Sequence, residues 1–185
     1  MNNIIYKSCT LEKELVNILE LQNENHYSSL SAGEIVSQGF LTCTHSLELL
    51  RNLNDVAPHI IATSNNKVIA YLLTMTATAE RDLPFLKPMF NEFRKIAYKD
   101  KTISGYNYLI VGQVCIAKGF RGQGILEENY HLYKTLYRDK FDFAITEIAT
   151  RNERSLKAHK RIGFKEIHRY FSPEGEEWSI VILDW

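Results

Sequence analysis

The sequence has little cysteine, proline or glycine, and it carries no excess of charge of either sign. Its 185 residues include three cysteines, four prolines and nine glycines. Cys9, Cys43 and Cys115 are odd in number, lie far apart and form no C-x-x-C pair, which argues against a disulfide framework. We therefore expect buried or half-buried thiols in a reducing compartment, and a cytoplasmic location.

Long apolar segments and metal-binding clusters are also missing. The sequence does not begin with the basic and apolar segments of a secretory signal, and no apolar run approaches the ~18 residues that indicate a membrane span. Lys and Arg number 22, as do Asp and Glu, so the net charge of zero gives no reason to expect a nucleic-acid or membrane partner. The six histidines are dispersed, without H-x-x-x-H spacing, so we expect no metal.

What the sequence does contain is enough apolar material for one core. Hydrophobic residues make up 45% of the chain, and no repeat or linker interrupts it, so we predict a single domain over residues 1–185. Apolar patterns predict the order βααββ-(α)-βαβαββ, which favours an α/β domain with a mixed sheet. The predicted strands cover 4–9, 59–63, 68–76, 108–117, 143–149, 164–171 and 178–184. The predicted helices cover about 11–23, 47–53, 84–97, 124–137 and 152–162.

Caps and turns mark several of these boundaries. Thr10 and Ser46 are predicted to cap the first two helices. Asn65 and Asn66 predict a β-hairpin, because asparagine tolerates the positive φ of a tight turn. Gly112, inside a strand, indicates a bulge or a close backbone approach. Gly163 predicts the end of the last helix.

The most informative stretch is a glycine-rich turn between a strand and a helix, Val114-Cys115-Ile116-Ala117-Lys118-Gly119-Phe120-Arg121-Gly122-Gln123-Gly124-Ile125-Leu126. Glycines let several backbone N–H groups point at one spot, and the helix N-terminus adds partial positive charge, so the turn suits an anion such as a pyrophosphate. A Walker P-loop needs G-K-[ST] at the helix start, and a dinucleotide fingerprint needs G-x-G-x-x-G; neither fits. An ordinary strand-to-helix turn is the alternative that the pattern leaves open.

Two motifs resemble those of the GCN5-related N-acetyltransferases (GNATs). The segment that begins at Arg121 resembles their coenzyme A loop, [Q/R]-x-x-G-x-[G/A], with Gly124 in the fourth place and Leu126 departing from the sixth. The segment Asn152 to Phe164 resembles N-x-x-[A/S]-x-x-x-Y-x-x-x-G-F, with His159 in the tyrosine position. The motifs stand in family order and at family spacing, and the order of elements extends the resemblance over most of the chain.

The resemblance implies a fold and a co-substrate. The expected fold is one mixed, mostly antiparallel sheet with splayed fourth and fifth strands and helices on both faces. Acetyl-coenzyme A would be the co-substrate, its pyrophosphate at the glycine turn and its acetyl and pantetheine parts on strand backbone. The cofactor-binding residues that this implies are Val114, Cys115, Ile116, Arg121, Gly122, Gln123, Gly124, Ile125, Leu126, Asn152, Ser155 and His159.

The resemblance also implies a reaction, in which an amine attacks the acetyl thioester directly in a ternary complex. His159 is the candidate general acid: it shares a helix face with Asn152 and Ser155, and an unperturbed imidazole titrates near neutral pH. Glu147 is the candidate general base, as in family members that acetylate protein N-termini. The alternatives are a packing histidine and an ordinary strand glutamate. Leu126 would either crowd the pyrophosphate or turn into the helix's apolar face, which we favour.

The third departure from the family is a long connection, residues 79–106, between the third and fourth strands. With its predicted helix, this insertion has three possible roles: to cover the acceptor site as a lid, to form a homodimer contact or to pack on the core. We expect an enzyme that acetylates a primary amine of a small molecule or peptide. The alternative, which Leu126 and His159 motivate, is a non-catalytic acyl-CoA-binding module or sensor.

Overall fold

The chain folds into strands and helices that follow the predicted order. The computed structural model describes residues 3–31, 33–34 and 39–185. Its described α-helices are α1 (Glu12–Asn25), α2 (Leu47–Val56), α3 (Lys87–Phe93), α4 (Ile125–Tyr137) and α5 (Glu153–Ile162). Its strands are β1 (Ile4–Ser8), β2 (Ile60–Ser64), β3 (Lys67–Met75), β4 (Ala97–Tyr98), β5 (Lys101–Thr102), β6 (Tyr108–Ile116), β7 (Phe143–Ala149), β8 (Lys165–Phe171) and β9 (Glu177–Asp184). Among the described residues, no helix combines the length and apolar character needed to cross a membrane.

Seven strands form one mixed sheet in the order β1-β2-β3-β6-β7-β9-β8. The pairs β1–β2, β2–β3, β7–β9 and β8–β9 are antiparallel, and β6–β7 is parallel. The parallel register runs only from Tyr108–Phe143 to Ile110–Ile145, although β6 is nine residues long. The fold class predicted from the sequence is confirmed. The structure adds a short hairpin, β4–β5, whose strands have two residues each.

The backbone divides into two compact units, each described by itself. The first contains Met1–Met75 and Val111–Leu136, and the second contains Thr76–Ile110 and Tyr137–Trp185. Strand β6 contributes its first three residues to the second unit and the rest to the first. The single domain over residues 1–185 stays a prediction.

Local sequence signals set most element boundaries in the first unit. Asn65 and Asn66 have φ of 49° and 61°, as the predicted hairpin turn requires. The Ser46 hydroxyl caps α2 by accepting the N–H of Leu49. The prediction for α1 was less accurate: its N-cap is Leu11, and the Glu14 carboxylate accepts the N–H groups of Thr10 and Leu11. A carboxylate in the first turn therefore replaces the expected threonine cap.

In the second unit, the insertion uses its apolar residues for packing. Met89, Phe90 and Phe93 of α3 are buried. The rings of Phe93 and Tyr108 pack edge to face, with their centroids 5.5 Å apart. Helix α3 is shorter than the predicted 84–97, because Pro88 stands in its first turn and residues 97–98 form a strand. Packing on the core, one of the three roles considered for the insertion, is therefore observed, and the lid and the homodimer contact stay predictions.

Asn129 in α4 is buried, and neither polar atom of its side chain has a hydrogen-bond partner among the described residues. Because an unpaired buried amide costs about 1–3 kcal/mol, we expect Asn129→Leu, which puts methyl groups in place of the two polar atoms, to stabilise the protein. The midpoint of thermal unfolding should rise by about 2–4 °C per kcal/mol gained.

A matched control for this substitution is Asn25→Leu. Asn25 is also buried, but its amide donates to the Leu21 carbonyl and its Oδ1 accepts a bond from Arg121, so its replacement should lower the midpoint. Calorimetry on both variants measures the difference. A lower midpoint for Asn129→Leu as well would mean that the Asn129 amide is satisfied in solution.

Buried histidines make stability depend on pH. The Nδ1 of His59 accepts the N–H of Thr74 at 3.0 Å, and its Nε2–H donates to the Leu50 carbonyl at 3.2 Å. This imidazole is fully buried, and burial lowers its pKa to about 4. Burial likewise lowers the pKa values of His45 and His159 to about 4.

We expect the free energy of unfolding to fall as pH drops from about 6.5 to 4. The unfolded chain, with ordinary histidines, takes up protons first in that window, which favours unfolding by about 2 kcal/mol at pH 5 for His59 alone. Glu147 acts in the opposite direction, because burial raises its pKa to about 7 and the folded state then binds the extra proton. Urea unfolding of Glu147→Gln at pH 7, 6 and 5 measures the free energy of unfolding without the contribution of Glu147, so that the contribution of the histidines remains. A free energy that stays constant across this range would contradict their neutral burial.

Candidate functional site

The glycine-rich turn of the first unit leads from β6 into α4. Gly122 and Gly124 have φ of 76° and 78°, a conformation that strains residues with a side chain. A Cβ placed on Gly119, Gly122 or Gly124 would meet no atom of the described residues within 4 Å. The backbone of this turn is therefore open along one surface.

The same turn forms the N-terminus of α4. The N–H of Glu128 donates to the Gly124 carbonyl at 3.1 Å, which is the first bond of the helix. The N–H groups of a first helical turn have no partner inside the helix and carry partial positive charge, which Glu127 and Glu128 here balance in part. An open glycine surface at such a terminus suits an anion held by backbone N–H groups.

The two cations of the turn are engaged within the chain. Arg121 donates from Nε to the Ile116 carbonyl at 2.9 Å and from Nη2 to Asn25 Oδ1 at 2.6 Å. Lys118 forms an ion pair with Glu34. Arg121 thus joins the turn to the end of α1.

The remaining predicted residues of the first unit differ in exposure. Ile125 and Leu126 are buried, which agrees with a Leu126 side chain turned into the helix's apolar face. Cys115 is buried in a core cluster with Tyr71, and burial raises the pKa of its thiol to about 12. Val114 and Ile116 are half-buried, and Gln123 donates to the Gly119 carbonyl at 3.0 Å.

In the second unit, α5 carries the other motif. Asn152 is its N-cap, and Asn152 Oδ1 accepts the N–H of Ser155 at 3.3 Å. Gly163 ends the helix with φ of 115°, as predicted. Ser155 Oγ lies 3.3 Å from His159 Nδ1, so these two side chains share a face of the helix, while the Asn152 side chain caps its N-terminus.

His159 is held in one tautomer. Its Nδ1 lies 2.8 Å from the Ser155 carbonyl, and a carbonyl only accepts, so the proton is on Nδ1. The side chain is buried, its ring meets the edge of Phe164 at 5.1 Å, and burial lowers its pKa to about 4. The imidazole is therefore neutral at physiological pH, with the lone pair on Nε2.

Glu147 on β7 is a half-buried carboxyl group with an unusual proton affinity. The Tyr170 hydroxyl donates to its Oε2 at 2.6 Å. Burial raises the pKa of Glu147 to about 7, and the hydrogen bond from Tyr170 opposes part of that rise. A carboxylate that titrates near the working pH is suited to accept a proton during a reaction.

Sequence reasoning missed the residues that support these groups. Tyr170 stands 23 positions from Glu147 and Asn25 stands 96 positions from Arg121, so no local spacing could reveal either pair. Gln113 was also missed: its Oε1 accepts from the Tyr71 hydroxyl and from Gln22, both at 2.7 Å.

No protein-family model matches the sequence, and no curated protein matches it. Solved structures do match, over nearly the whole chain. The NatC complex bound to Gag peptide and CoA has a chain that is 16% identical, with a TM-score of 0.67 and 99% of both chains covered.

The chain has the GNAT fold. NAA60 from Arabidopsis thaliana, in complex with acetyl-CoA, matches with a TM-score of 0.67 at 9% identity, over 99% of this chain and 100% of that one. The ribosomal-protein-S18-alanine N-acetyltransferase from Escherichia coli matches with a TM-score of 0.62 at 13% identity, over 98% and 94% of the two chains. The GNAT resemblance drawn from two sequence motifs is confirmed at the level of the fold.

Proposed function

We propose that this GNAT-fold chain is an N-acetyltransferase that moves the acetyl group of acetyl-CoA to a primary amine. The observation that carries the proposal is Glu147, a half-buried carboxyl group whose pKa is raised to about 7 in a fold whose solved neighbours bind CoA or acetyl-CoA. A carboxyl group whose pKa lies near neutral pH is suited to proton transfer, which supports an enzyme over a binding module.

The glycine turn fits the pyrophosphate of this co-substrate. Gly122 and Gly124 leave open the space that a Cβ would fill, and the N-terminus of α4 supplies partial positive charge. We assign phosphate binding to the backbone N–H groups from Gly122 to Leu126 and treat Arg121 as the residue that orients them. Val114 and Ile116 would offer strand backbone to the acetyl and pantetheine parts, and Asn152 would bond the pantetheine arm.

Acetyl-CoA supplies the acetyl thioester when bound. A C–N bond forms as the C–S bond breaks, the amine loses a proton and the departing thiolate gains one. We assign Glu147 as the acceptor of the amine proton, because a pKa raised to about 7 suits a carboxylate to take up a proton near neutral pH. The amine must be neutral to attack, so a nearby base acts directly on the barrier.

His159 remains our candidate for the donor to the thiolate, but it would donate only as the imidazolium, with both ring nitrogens protonated. Its proton sits on Nδ1, bonded to Ser155, and a pKa of about 4 makes the imidazolium rare at neutral pH. We therefore expect His159→Ala to reduce kcat less than Glu147→Gln does.

The acceptor that we favour is the amine of a peptide. The solved neighbours include a complex with Gag peptide and an enzyme named for an alanine of ribosomal protein S18. Amines of small molecules are the other class to be tested.

The proposal is tested by thiol release from acetyl-CoA in the presence of short peptides. One set would begin with free alanine, methionine or serine, the same set would have blocked N-termini, and small amines would form a third set. Release that needs a free amine supports the transferase. Saturable acetyl-CoA binding without release from any set would instead favour the acyl-CoA-binding module, which the neutral His159 makes the second candidate.

A further inference from the structure

Tyr170 is the one described residue whose side chain bonds directly to the Glu147 carboxyl group. It lies on β8, and Glu147 lies on β7, so the bond passes over β9 between them. The β9 residues in register with the two are Trp178 and Ile180, and neither has an acid or base group. The hydroxyl therefore reaches Oε2 across an apolar surface.

The hydrogen bond has a fixed direction because Tyr170 keeps its proton. Burial and the nearby carboxylates Glu147, Glu92 and Glu174 all raise the pKa of Tyr170 well above its usual value. A protonated phenol donates, so Glu147 Oε2 accepts.

The insertion supplies one of these carboxylates, Glu92 of α3. Glu92 pairs with Lys95 at 2.7 Å and stands 3.5 Å from His168 Nε2 on β8. The turn after β8 supplies Glu174. The described titratable and charged groups near the Tyr170–Glu147 pair are thus Glu92, with Lys95 and His168 beside it, and Glu174.

We propose that Tyr170 is a positioning residue for the reaction: its hydroxyl holds Oε2 of Glu147 and leaves Oε1 to take the proton of the acceptor amine. This inference rests on the proposed function of Glu147. A bond donated to the ionised carboxyl favours that form, so Tyr170 also keeps Glu147 a carboxylate at lower pH than burial alone would allow.

The test is Tyr170→Phe, which removes the hydroxyl and keeps the ring. Tyr98→Phe is the matched control, because the Tyr98 hydroxyl donates to the carboxylate of Asp184 at 2.7 Å in the same unit. Carbon-13 NMR of protein labelled at glutamate carboxyl groups would follow the titration of Glu147, assigned by its loss in Glu147→Gln. This measurement needs no acceptor.

We expect Tyr170→Phe to raise the pKa of Glu147 by about one unit and Tyr98→Phe to leave it unchanged. With any peptide that releases thiol, the acid limb of kcat/KM should move up by the same amount, with the KM for acetyl-CoA unchanged. An unmoved Glu147 titration, or a rate loss equal at every pH, would overturn the role of Tyr170. Absence of thiol release by the unmodified chain would instead count against the proposed function.

Discussion

Glu147→Gln is expected to lower kcat for acetyl transfer by at least about 100-fold, while acetyl-CoA binds as before. A positioned base contributes about 10²–10⁴ to a rate, and glutamine cannot accept the proton. The Tyr170 hydroxyl still finds an oxygen on the amide, so the local fold should survive. Steady-state kinetics of thiol release, with calorimetric binding of acetyl-CoA, separate the two effects.

The matched control for this variant is Glu166→Gln. Glu166 also accepts a bond from a hydroxyl, Ser179 Oγ at 2.6 Å, on a neighbouring strand of the same unit. Its pKa is lowered by bonds from Arg169 and Ser179, so it stays ionised and has no acid–base use near pH 7. Equal rates for Glu147→Gln and Glu166→Gln would remove Glu147 from the mechanism.

The pH dependence of kcat/KM is a second test of Glu147. Because the pKa of Glu147 is raised to about 7, kcat/KM should fall as pH drops below 7 and the carboxylate is protonated. Protonation of the acceptor amine also lowers kcat/KM at low pH. In Glu147→Gln the fall caused by the amine should remain, and the fall caused by Glu147 should disappear. Identical profile shapes for the two proteins would show that the amine alone sets the pH dependence.

Gly124→Trp is expected to abolish acetyl-CoA binding, with affinity reduced by at least about 100-fold. Gly124 has φ of 78° and opens onto the surface proposed for the pyrophosphate, so an indole would both strain the turn and cover its N–H groups. Isothermal titration with acetyl-CoA measures the loss.

Gly175→Trp is the control that separates a blocked phosphate site from the effect of backbone strain. Gly175 has φ of 85° and the same open surroundings, but it lies in the turn between β8 and β9. Its replacement carries a similar backbone penalty and should leave acetyl-CoA affinity within about twofold of the unmodified chain. Equal affinities for the two tryptophan variants would place the co-substrate away from the glycine turn.

The sequence reveals the parts of this site that depend on local chain geometry. Gly122 and Gly124 predict the turn, and the caps Ser46 and Gly163 predict helix ends, because a few adjacent residues decide each of these features. The apolar periods predict the order of elements and the mixed sheet, which the structure confirms. The helix expected over 84–97 fails at both ends, since proline and the β4–β5 hairpin override its apolar stripe.

The parts that sequence cannot supply depend on distant partners. The imidazole of His159 has an ordinary pKa as an isolated residue. Its burial makes it neutral, against the opposing effect of the bond to the Ser155 carbonyl. The roles proposed for Glu147 and Arg121 likewise depend on Tyr170 and Asn25, which no spacing rule connects to them. The residue type at one position therefore suggests a candidate catalytic residue, and tertiary packing sets the pKa and the hydrogen bonds of its side chain.

The measurement that tests the central claim most directly follows the acetyl group itself. Acetyl-CoA labelled with carbon-13 in the acetyl group would be incubated with the protein and a peptide that releases thiol, and the products read by mass spectrometry. The account predicts one labelled acetyl group on a peptide amine for each thiol released, and neither product with Glu147→Gln beyond background. Thiol release with labelled acetate and no labelled peptide would contradict it.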